Sequence, residues 1–189
     1  LFGGDGGLPS AEALDMLATE IPSSAVALGE ACDLVDLLAA TDLARYRTYR
    51  EWATDPAALE LYGHMIVTGA WWDHVDEVAI KLVGPLLRAH PKHVGAAMRR
   101  WSRDPDRWRR RASVICQIGS RDATDTALLA ECILANVDDA DFFLRKGVGW
   151  ALREHAKTDP DWVRSFTTSY RGRLSPLSLR EATRTLAPS

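Results

Sequence analysis

The sequence has few cysteines and no long apolar segment. Only three of its 189 residues are cysteines, Cys32, Cys116 and Cys132, and their odd number and irregular spacing predict buried free thiols rather than a disulfide framework. Free thiols are typical of a reducing compartment, and no signal peptide is recognisable, so we expect a cytoplasmic protein. No apolar run approaches the roughly 20 residues that a membrane-spanning helix requires, so we expect no contact with a membrane.

Strands, phosphate loops and metal-binding patterns are also missing. No stretch of useful length alternates apolar and polar residues. The glycine-rich residues 1–9 lack a following Gly-Lys-Ser/Thr and a preceding strand, so they do not form a phosphate loop. The histidines (His64, His74, His90, His93 and His155) have no cysteine or carboxylate at ligand spacing. We therefore expect neither a metal nor any other cofactor.

Dipeptides that end in proline divide the chain into short helical segments. Asp55-Pro56, His90-Pro91, Asp104-Pro105, Asp159-Pro160 and Ser175-Pro176 each precede a run with apolar residues at helical spacing. Hydrophobic residues make up 47% of the chain, enough for one sizeable core. The sequence therefore predicts an all-α protein, with residues 1–189 in a single domain.

The charges are distributed unevenly along the chain. Up to Leu87 there are 4 Lys/Arg against 14 Asp/Glu, whereas from Arg88 onward there are 19 against 12. The densest basic cluster comprises Arg99, Arg100, Arg103, Arg107, Arg109, Arg110 and Arg111, and Arg121, Arg145 and Lys146 follow. Such a patch is suited to phosphates and predicts binding to nucleic acid. The alternative is that these side chains only cover solvated helix faces.

The segment Trp71-Trp72-Asp73-His74-Val75-Asp76 combines aromatic rings with carboxylates. On a helix, Trp72 and Asp76 lie on one face, where an indole beside an acid suits a flat cation. An adjacent apolar face, predicted to be buried, comprises Trp71, Val75, Val78, Leu82 and Leu86. In the alternative interpretation, Asp76 is only the third-turn acid of a capping box led by Asp73.

A spacing of 39 residues connects Trp72, Arg111 and Trp150. This length is typical of a HEAT-type helical hairpin, and equivalent positions of successive repeats share one surface of a solenoid. We therefore predict that the three side chains line one concave wall. The alternatives are that the tryptophans belong to the core and that Arg111 is an ordinary surface arginine.

Three motifs in this order resemble the AlkD-type DNA alkylation repair proteins, which are HEAT-like-repeat alkylpurine DNA glycosylases. The motifs are Thr68-Gly69-Ala70-Trp71-Trp72-Asp73-His74-Val75-Asp76, Trp108-Arg109-Arg110-Arg111-Ala112 and Lys146-Gly147-Val148-Gly149-Trp150-Ala151-Leu152-Arg153-Glu154, with Ser175-Pro176-Leu177-Ser178-Leu179-Arg180-Glu181-Ala182 fitting as well. The similarity covers residues 46–189, whereas residues 1–45 are acidic and divergent.

The resemblance implies an α-solenoid of HEAT-like hairpin repeats with a concave face that binds duplex DNA. It implies that Asp76 is the catalytic carboxylate, that Trp72 and Trp150 flank the lesion, and that Arg111 contacts the DNA backbone nearby. Members of the family excise N3- and N7-alkylated purines, such as 3-methyladenine and 7-methylguanine, without flipping the base. We expect this protein to act in that way as a monomer.

The residues themselves suit that chemistry. A cationic purine departs as a neutral base, so a carboxylate that stabilises the remaining oxocarbenium ion suffices, and no general acid is required. Two alternatives remain: a non-catalytic HEAT-repeat scaffold that binds DNA or protein, and a specialised relative that excises bulky natural-product adducts.

Overall fold

The computed structural model describes residues 54–186, and all regular structure in that range is helical. Its α-helices are α1 (Ala58–Gly69), α2 (Trp72–Val78), α3 (Gly84–Ala89), α4 (Pro91–Trp101), α5 (Arg107–Ile115), α6 (Thr126–Leu134), α7 (Phe142–His155), α8 (Pro160–Ser169) and α9 (Pro176–Thr183). A π-helical turn at Ala79–Val83 joins α2 to α3, and a 3-10 turn at Arg121–Ala123 precedes α6. The all-α prediction is confirmed, while the helices predicted before residue 54 lie outside the described residues.

Proline and aspartate start the helices for different reasons. Pro91, Pro160 and Pro176 are the first residues of α4, α8 and α9, where a missing N–H costs nothing. The helix predicted from Asp104-Pro105 begins only at α5. Its N-cap is Asp106, whose carboxylate accepts hydrogen bonds from two backbone N–H groups of the first turn.

The helices repeat with a step of 35 residues. Trp71, Asp106 and Asp141 are the N-caps of α2, α5 and α7, and each follows the previous one after 35 residues. The N-cap of α9, Ser175, follows after another 34. These four helices contact one another in order and form a row that we call layer A, while α4 and α6 pack together against α5. The arrangement is an α-solenoid of HEAT-like helical hairpins.

The predicted spacing of 39 residues is not the structural repeat. The position of α5 equivalent to Asp76 is Arg111, but the equivalent position of α7 is Lys146, and Trp150 lies one turn further along that helix. Each step of 39 residues is thus one repeat plus about one helical turn.

The apolar face predicted for the α2 segment is confirmed except at its first member. Val75, Val78, Leu82 and Leu86 are buried, but the prediction that Trp71 is a core residue is wrong, since its side chain is 54% exposed. Trp71 precedes the helix in an extended conformation (φ −143°, ψ 142°), so it does not follow the helical period.

Two of the three cysteines lie in the described part of the chain, and both are buried as predicted. Cys116 and Cys132 are buried and free, and burial raises the pKa of the Cys132 thiol to about 11. Burial also raises the pKa of the Cys116 thiol, so we expect both thiols to be unreactive. Cys32 lies outside the described residues.

Between residues 54 and 186, no helix combines the length and apolar character needed to cross a membrane.

Candidate functional site

Layer A lines a cavity of about 380 Å³. The lining residues are Trp72, Asp76, Arg111, Phe142, Phe143, Lys146, Trp150, Arg153 and Glu181. All four residues predicted as catalytic are among them. The structure therefore brings those four side chains together, while their roles stay predictions.

Asp76 and Arg111 form a buried bidentate ion pair. Nε and Nη2 of Arg111 each donate to one carboxylate oxygen at 2.7 Å, and the residues are 8% and 5% exposed. The third nitrogen of the guanidinium, Nη1, donates to the carbonyl oxygen of Phe143 on α7. Arg111 on α5 is thus held by both neighbouring helices, α2 and α7, and it fixes the orientation of the Asp76 carboxylate.

This pairing excludes two of the alternatives drawn from the sequence. The N-cap of α2 is Trp71, and the Asp73 carboxylate accepts from the N–H of His74 instead of capping the helix. Asp76 is therefore not part of a capping box led by Asp73. Arg111 is not an ordinary surface arginine, because it is buried and its donors are held by two partners.

Burial and the guanidinium act on Asp76 in opposite directions. Desolvation raises the pKa of the Asp76 carboxyl above its ordinary value, and the hydrogen bonds and charge of Arg111 work against that rise. Because a bidentate guanidinium favours the ionised form, we expect Asp76 to be a carboxylate at neutral pH. A poorly hydrated carboxylate with a fixed orientation can stabilise positive charge strongly.

The two tryptophans lie at different depths in the cavity. Trp72, the first residue of α2, is 45% exposed, so the interpretation of Trp72 as a core residue is wrong. Trp150 is half-buried in the middle of α7, where it packs against the core and also lines the cavity. The site therefore offers one indole at its rim and one along its wall.

An aromatic rim extends the cavity, and sequence reasoning missed most of it. Phe142 is 57% exposed and meets Phe143 edge-on, with ring centroids 5.5 Å apart. Phe143 also meets the exposed ring of Trp71, with centroids 6.0 Å apart. Phe142 is the first residue of α7, as Trp72 is of α2, so the 35-residue period would have indicated it.

A second set of charged residues lines the same cavity as the ion pair of Asp76. Glu181 on α9 accepts from Lys146 Nζ at 2.9 Å and from Arg153 Nη1 at 2.5 Å. The hydrogen bond from Lys146, with the charges of both cations, holds the pKa of the Glu181 carboxyl below its ordinary value. Sequence reasoning named only Lys146 of this set as a candidate phosphate ligand.

Two glycines of α7 allow its neighbours to approach. A Cβ at Gly149 would lie 2.6 Å from Cβ of Glu181 and 2.9 Å from the backbone oxygen of Ser178. A Cβ at Gly147 would lie 3.1 Å from Nη1 of Arg111. The Gly-Val-Gly-Trp segment thus lets both α5 and α9 pack close to the helix that carries Trp150.

Most residues of the predicted DNA-binding set lie outside the cavity, and many pair with carboxylates. Ion pairs join Arg99 to Glu131, Arg107 to Asp141, Arg109 to Asp104 and Arg110 to Asp139. The Arg145 Nε donates to the Asp139 carbonyl oxygen. Arg100, Arg103 and Arg121 are exposed and have no carboxylate partner in the described part of the chain. Apart from Arg111, which was also predicted to be catalytic, Lys146 is the one member of the set that lines the cavity.

The histidines of the described region do not gather with other ligands. Among residues 54–186, no three His, Cys, Asp or Glu side chains are placed to hold a metal ion. His155 is 8% exposed and packs edge-on against Trp162, with ring centroids 5.3 Å apart. Burial lowers the pKa of its imidazole, which favours the neutral form in that apolar contact.

A solved protein structure and a protein family are both similar to this chain. A solved structure of a predicted DNA alkylation repair enzyme from Enterococcus faecalis has a similar fold, with a TM-score of 0.62 and 24% sequence identity over 96% of this chain and 79% of that chain. No curated protein matches the chain. The sequence model of a family described as DNA alkylation repair enzyme matches residues 33–186, which is well over half of the chain. The protein thus belongs to the DNA alkylation repair enzyme family.

Proposed function

We propose that the protein is a DNA glycosylase that hydrolyses the N-glycosidic bond of cationic N3- or N7-alkylated purines in duplex DNA. The observation that carries the proposal is the Asp76 carboxylate, which Arg111 fixes at 2.7 Å inside a cavity lined by Trp72 and Trp150. A scaffold that only binds DNA or protein has no need of a buried acid with a fixed orientation.

The reaction needs little beyond that carboxylate. As the bond from C1′ to the purine nitrogen breaks, its electron pair moves to the base and cancels the positive charge of the alkylated ring. The sugar becomes an oxocarbenium ion, which the negative charge of Asp76 stabilises. Asp76 also orients the water that adds to C1′, and the proton that this water loses passes by way of the carboxylate to the solvent. The products are a neutral free base and an abasic site.

The tryptophans suit a cationic substrate that stays within the duplex. Indole faces attract positive charge, by about 2 kcal/mol when desolvated. Enzymes that flip a base enclose it in a snug pocket, whereas the Trp72 indole is 45% exposed at the rim of an open cavity. The exposed rim therefore favours contact with the damaged nucleotide in place, without base flipping.

Release of free base from methylated duplex DNA tests the proposal. Duplex containing 7-methylguanine or 3-methyladenine should release the alkylated base faster with the protein than in the same buffer without it, as measured by mass spectrometry of the supernatant. Undamaged duplex is the control and should release no base. Tight duplex binding with no release above the uncatalysed rate would favour a non-catalytic scaffold instead.

The aromatic rim favours a second candidate, the excision of bulky adducts. Trp71 and Phe142 expose 54% and 57% of their surface beside the cavity, and exposed rings can stack on a large planar substituent. A bulky N3 or N7 adduct should then be released faster than a methylated base, and Phe142→Ala should lower that ratio. A ratio unaffected by Phe142→Ala would count against this candidate.

A further inference from the structure

Equivalent positions of the four helices of layer A carry charges that meet in one cavity. Asp76, Arg111 and Lys146 each lie five residues after the N-cap of their helix, and Glu181 lies six after Ser175. The order of charges is therefore negative, positive, positive, negative. Asp76 pairs with Arg111 and Lys146 pairs with Glu181, and 35 residues separate the partners in both pairs. The chemistry described above uses only the first pair.

The second pair includes a further cation, Arg153, and lies in the cavity that Trp150 also lines. Lys146, Trp150 and Arg153 project from one face of α7, because they are spaced by four and three residues. Glu181 reaches that face from α9 and binds the two cations, which precede and follow Trp150 along α7. The side chain of Glu181 is only 11% exposed, against 42% for Lys146 and 20% for Arg153. The carboxylate is therefore the inner, fixed partner.

We propose that Glu181 is a positioning residue that fixes Lys146 and Arg153, before and after Trp150 along α7, so that both cations meet the DNA backbone next to the damaged nucleotide. This inference rests on the proposed function for its link to base release. Its electrostatic part, the placement of two cations against phosphates, applies to any duplex that enters the cavity.

Glu181 does not prevent Lys146 and Arg153 from binding phosphate, because it uses only some of their N–H donors. A lysine ammonium has three donors and an arginine guanidinium has five, and Glu181 takes one from each. The remaining N–H groups can reach phosphate while the carboxylate keeps the nitrogens in place. The cavity then holds three cations and two carboxylates, so the net charge of its lining is +1, which attracts DNA only weakly.

Glu181→Gln separates positioning from a purely structural role. The variant keeps the size of the side chain but removes its charge, so the cations become both more available and less ordered. We expect affinity for undamaged duplex to rise and its salt dependence to steepen by up to about 0.9 log unit per log unit, the value of one added phosphate contact. The single-turnover rate of base release should fall about tenfold or more, because small misplacement of contacting groups is costly to catalysis.

Two comparisons isolate the cause. Asp138→Asn removes an equal charge from an exposed pair with Arg173, which does not line the cavity, and we expect it to change the rate of base release less than twofold. In the Lys146→Met, Arg153→Met background, Glu181→Gln should alter neither the salt dependence nor the rate. That background also removes the two half-buried cations that lose an ionic partner when Glu181 becomes glutamine, should the single variant fold poorly.

The outcomes distinguish this inference from the proposed function. A Glu181→Gln protein that binds duplex more weakly, with a lower melting temperature and a slower rate in proportion, would show that Glu181 only holds α9 against α7. An unchanged salt dependence would overturn the inference even if base release is observed. Failure of the wild-type protein to release any alkylated base would overturn the proposed function, and the binding comparison would still decide the role of Glu181.

Discussion

At the scale of single residues, the ion pair with Arg111 influences the pH at which the Asp76 carboxyl ionises. The spacing of Trp72 and Asp76 in the sequence predicted a helix face with an indole and an acid, and the structure confirms that geometry. The partner of the acid was not predictable in the same way. A pair separated by 35 residues depends on the distance between two helices, and the sequence alone does not give that distance.

The pH dependence of base release tests that pairing. Since burial raises the pKa of Asp76 and the charged form is the active one, activity should be lost as pH falls through a pKa above the usual aspartate value. Arg111→Met removes the group that opposes the rise, so the acid limb of the rate profile should move to higher pH. The measurement is the single-turnover rate against pH, corrected for uncatalysed release at each pH.

Arg111→Lys is the matched control for this shift. A lysine keeps the positive charge but loses the bidentate geometry, so its acid limb should lie between those of the wild type and Arg111→Met. An acid limb that stays in place in Arg111→Met, or moves to lower pH, would show that Asp76 is not the titrating group.

At the scale of helices, close packing around α7 places both charged pairs. The Gly147-Val148-Gly149-Trp150 segment was recognised in the sequence only as part of a resemblance, since a glycine in a helix does not indicate which neighbour approaches it. The structure gives the reason, because α5 and α9 approach the helix at these two glycines. The helix starts at Pro91, Pro160 and Pro176 were predictable, because proline at a first turn is a local effect.

Gly149→Ala tests the importance of that close approach. The new Cβ would lie 2.6 Å from Cβ of Glu181 and 2.9 Å from a backbone oxygen, so α9 must move away. We expect a loss of about 1–3 kcal/mol in the free energy of unfolding, as for other overpacked sites, together with slower base release. Chemical denaturation measures the first quantity.

Gly172→Ala provides the comparison for an added methyl group. Nothing lies within 4 Å of a Cβ at Gly172, so the substitution should leave stability unchanged or raise it by up to about 1 kcal/mol. Equal stability changes in the two variants would contradict the close packing of α7 and α9.

At the scale of the whole molecule, the arginine cluster contributes less free charge than its sequence suggests. The excess of Lys/Arg after Leu87 predicted DNA binding, but the sequence could not reveal that Arg99, Arg107, Arg109 and Arg110 lie within reach of carboxylates. Three of those pairs form between elements that the solenoid brings together, whereas Asp104 lies in the turn just before the helix of its partner Arg109. The 35-residue period was likewise not visible in the sequence. The spacing from Trp72 to Arg111 and from Arg111 to Trp150 is 39 residues, which is one repeat plus about one helical turn.

Salt dependence of duplex binding tests the electrostatic role of the C-terminal half. Affinity should fall by roughly 0.9 log unit per log unit of salt for each phosphate neutralised. Arg121→Ala should lower that slope by about this amount, since Arg121 is exposed and has no carboxylate partner between residues 54 and 186. Arg99→Ala should lower it less, because Arg99 already pairs with Glu131 at 2.6 Å. A nearly flat response in the wild type would indicate a protein-binding scaffold.

A comparison of wild type with Asp76→Asn, on duplexes that carry a single lesion each, tests the catalytic role of the carboxylate. We expect wild type to release 7-methylguanine and 3-methyladenine but not uracil or hypoxanthine, because the neutral bases need an acid to leave. Asp76→Asn should bind duplex at least as tightly as wild type and release base roughly a hundred- to a thousandfold more slowly. If the variant folds poorly, Asp76→Asn combined with Arg111→Met leaves no unpaired buried cation, and its comparison with Arg111→Met alone gives the test of Asp76. Full activity of either variant, or equal wild-type rates on charged and neutral lesions, would show that the Asp76 carboxylate does not drive base release.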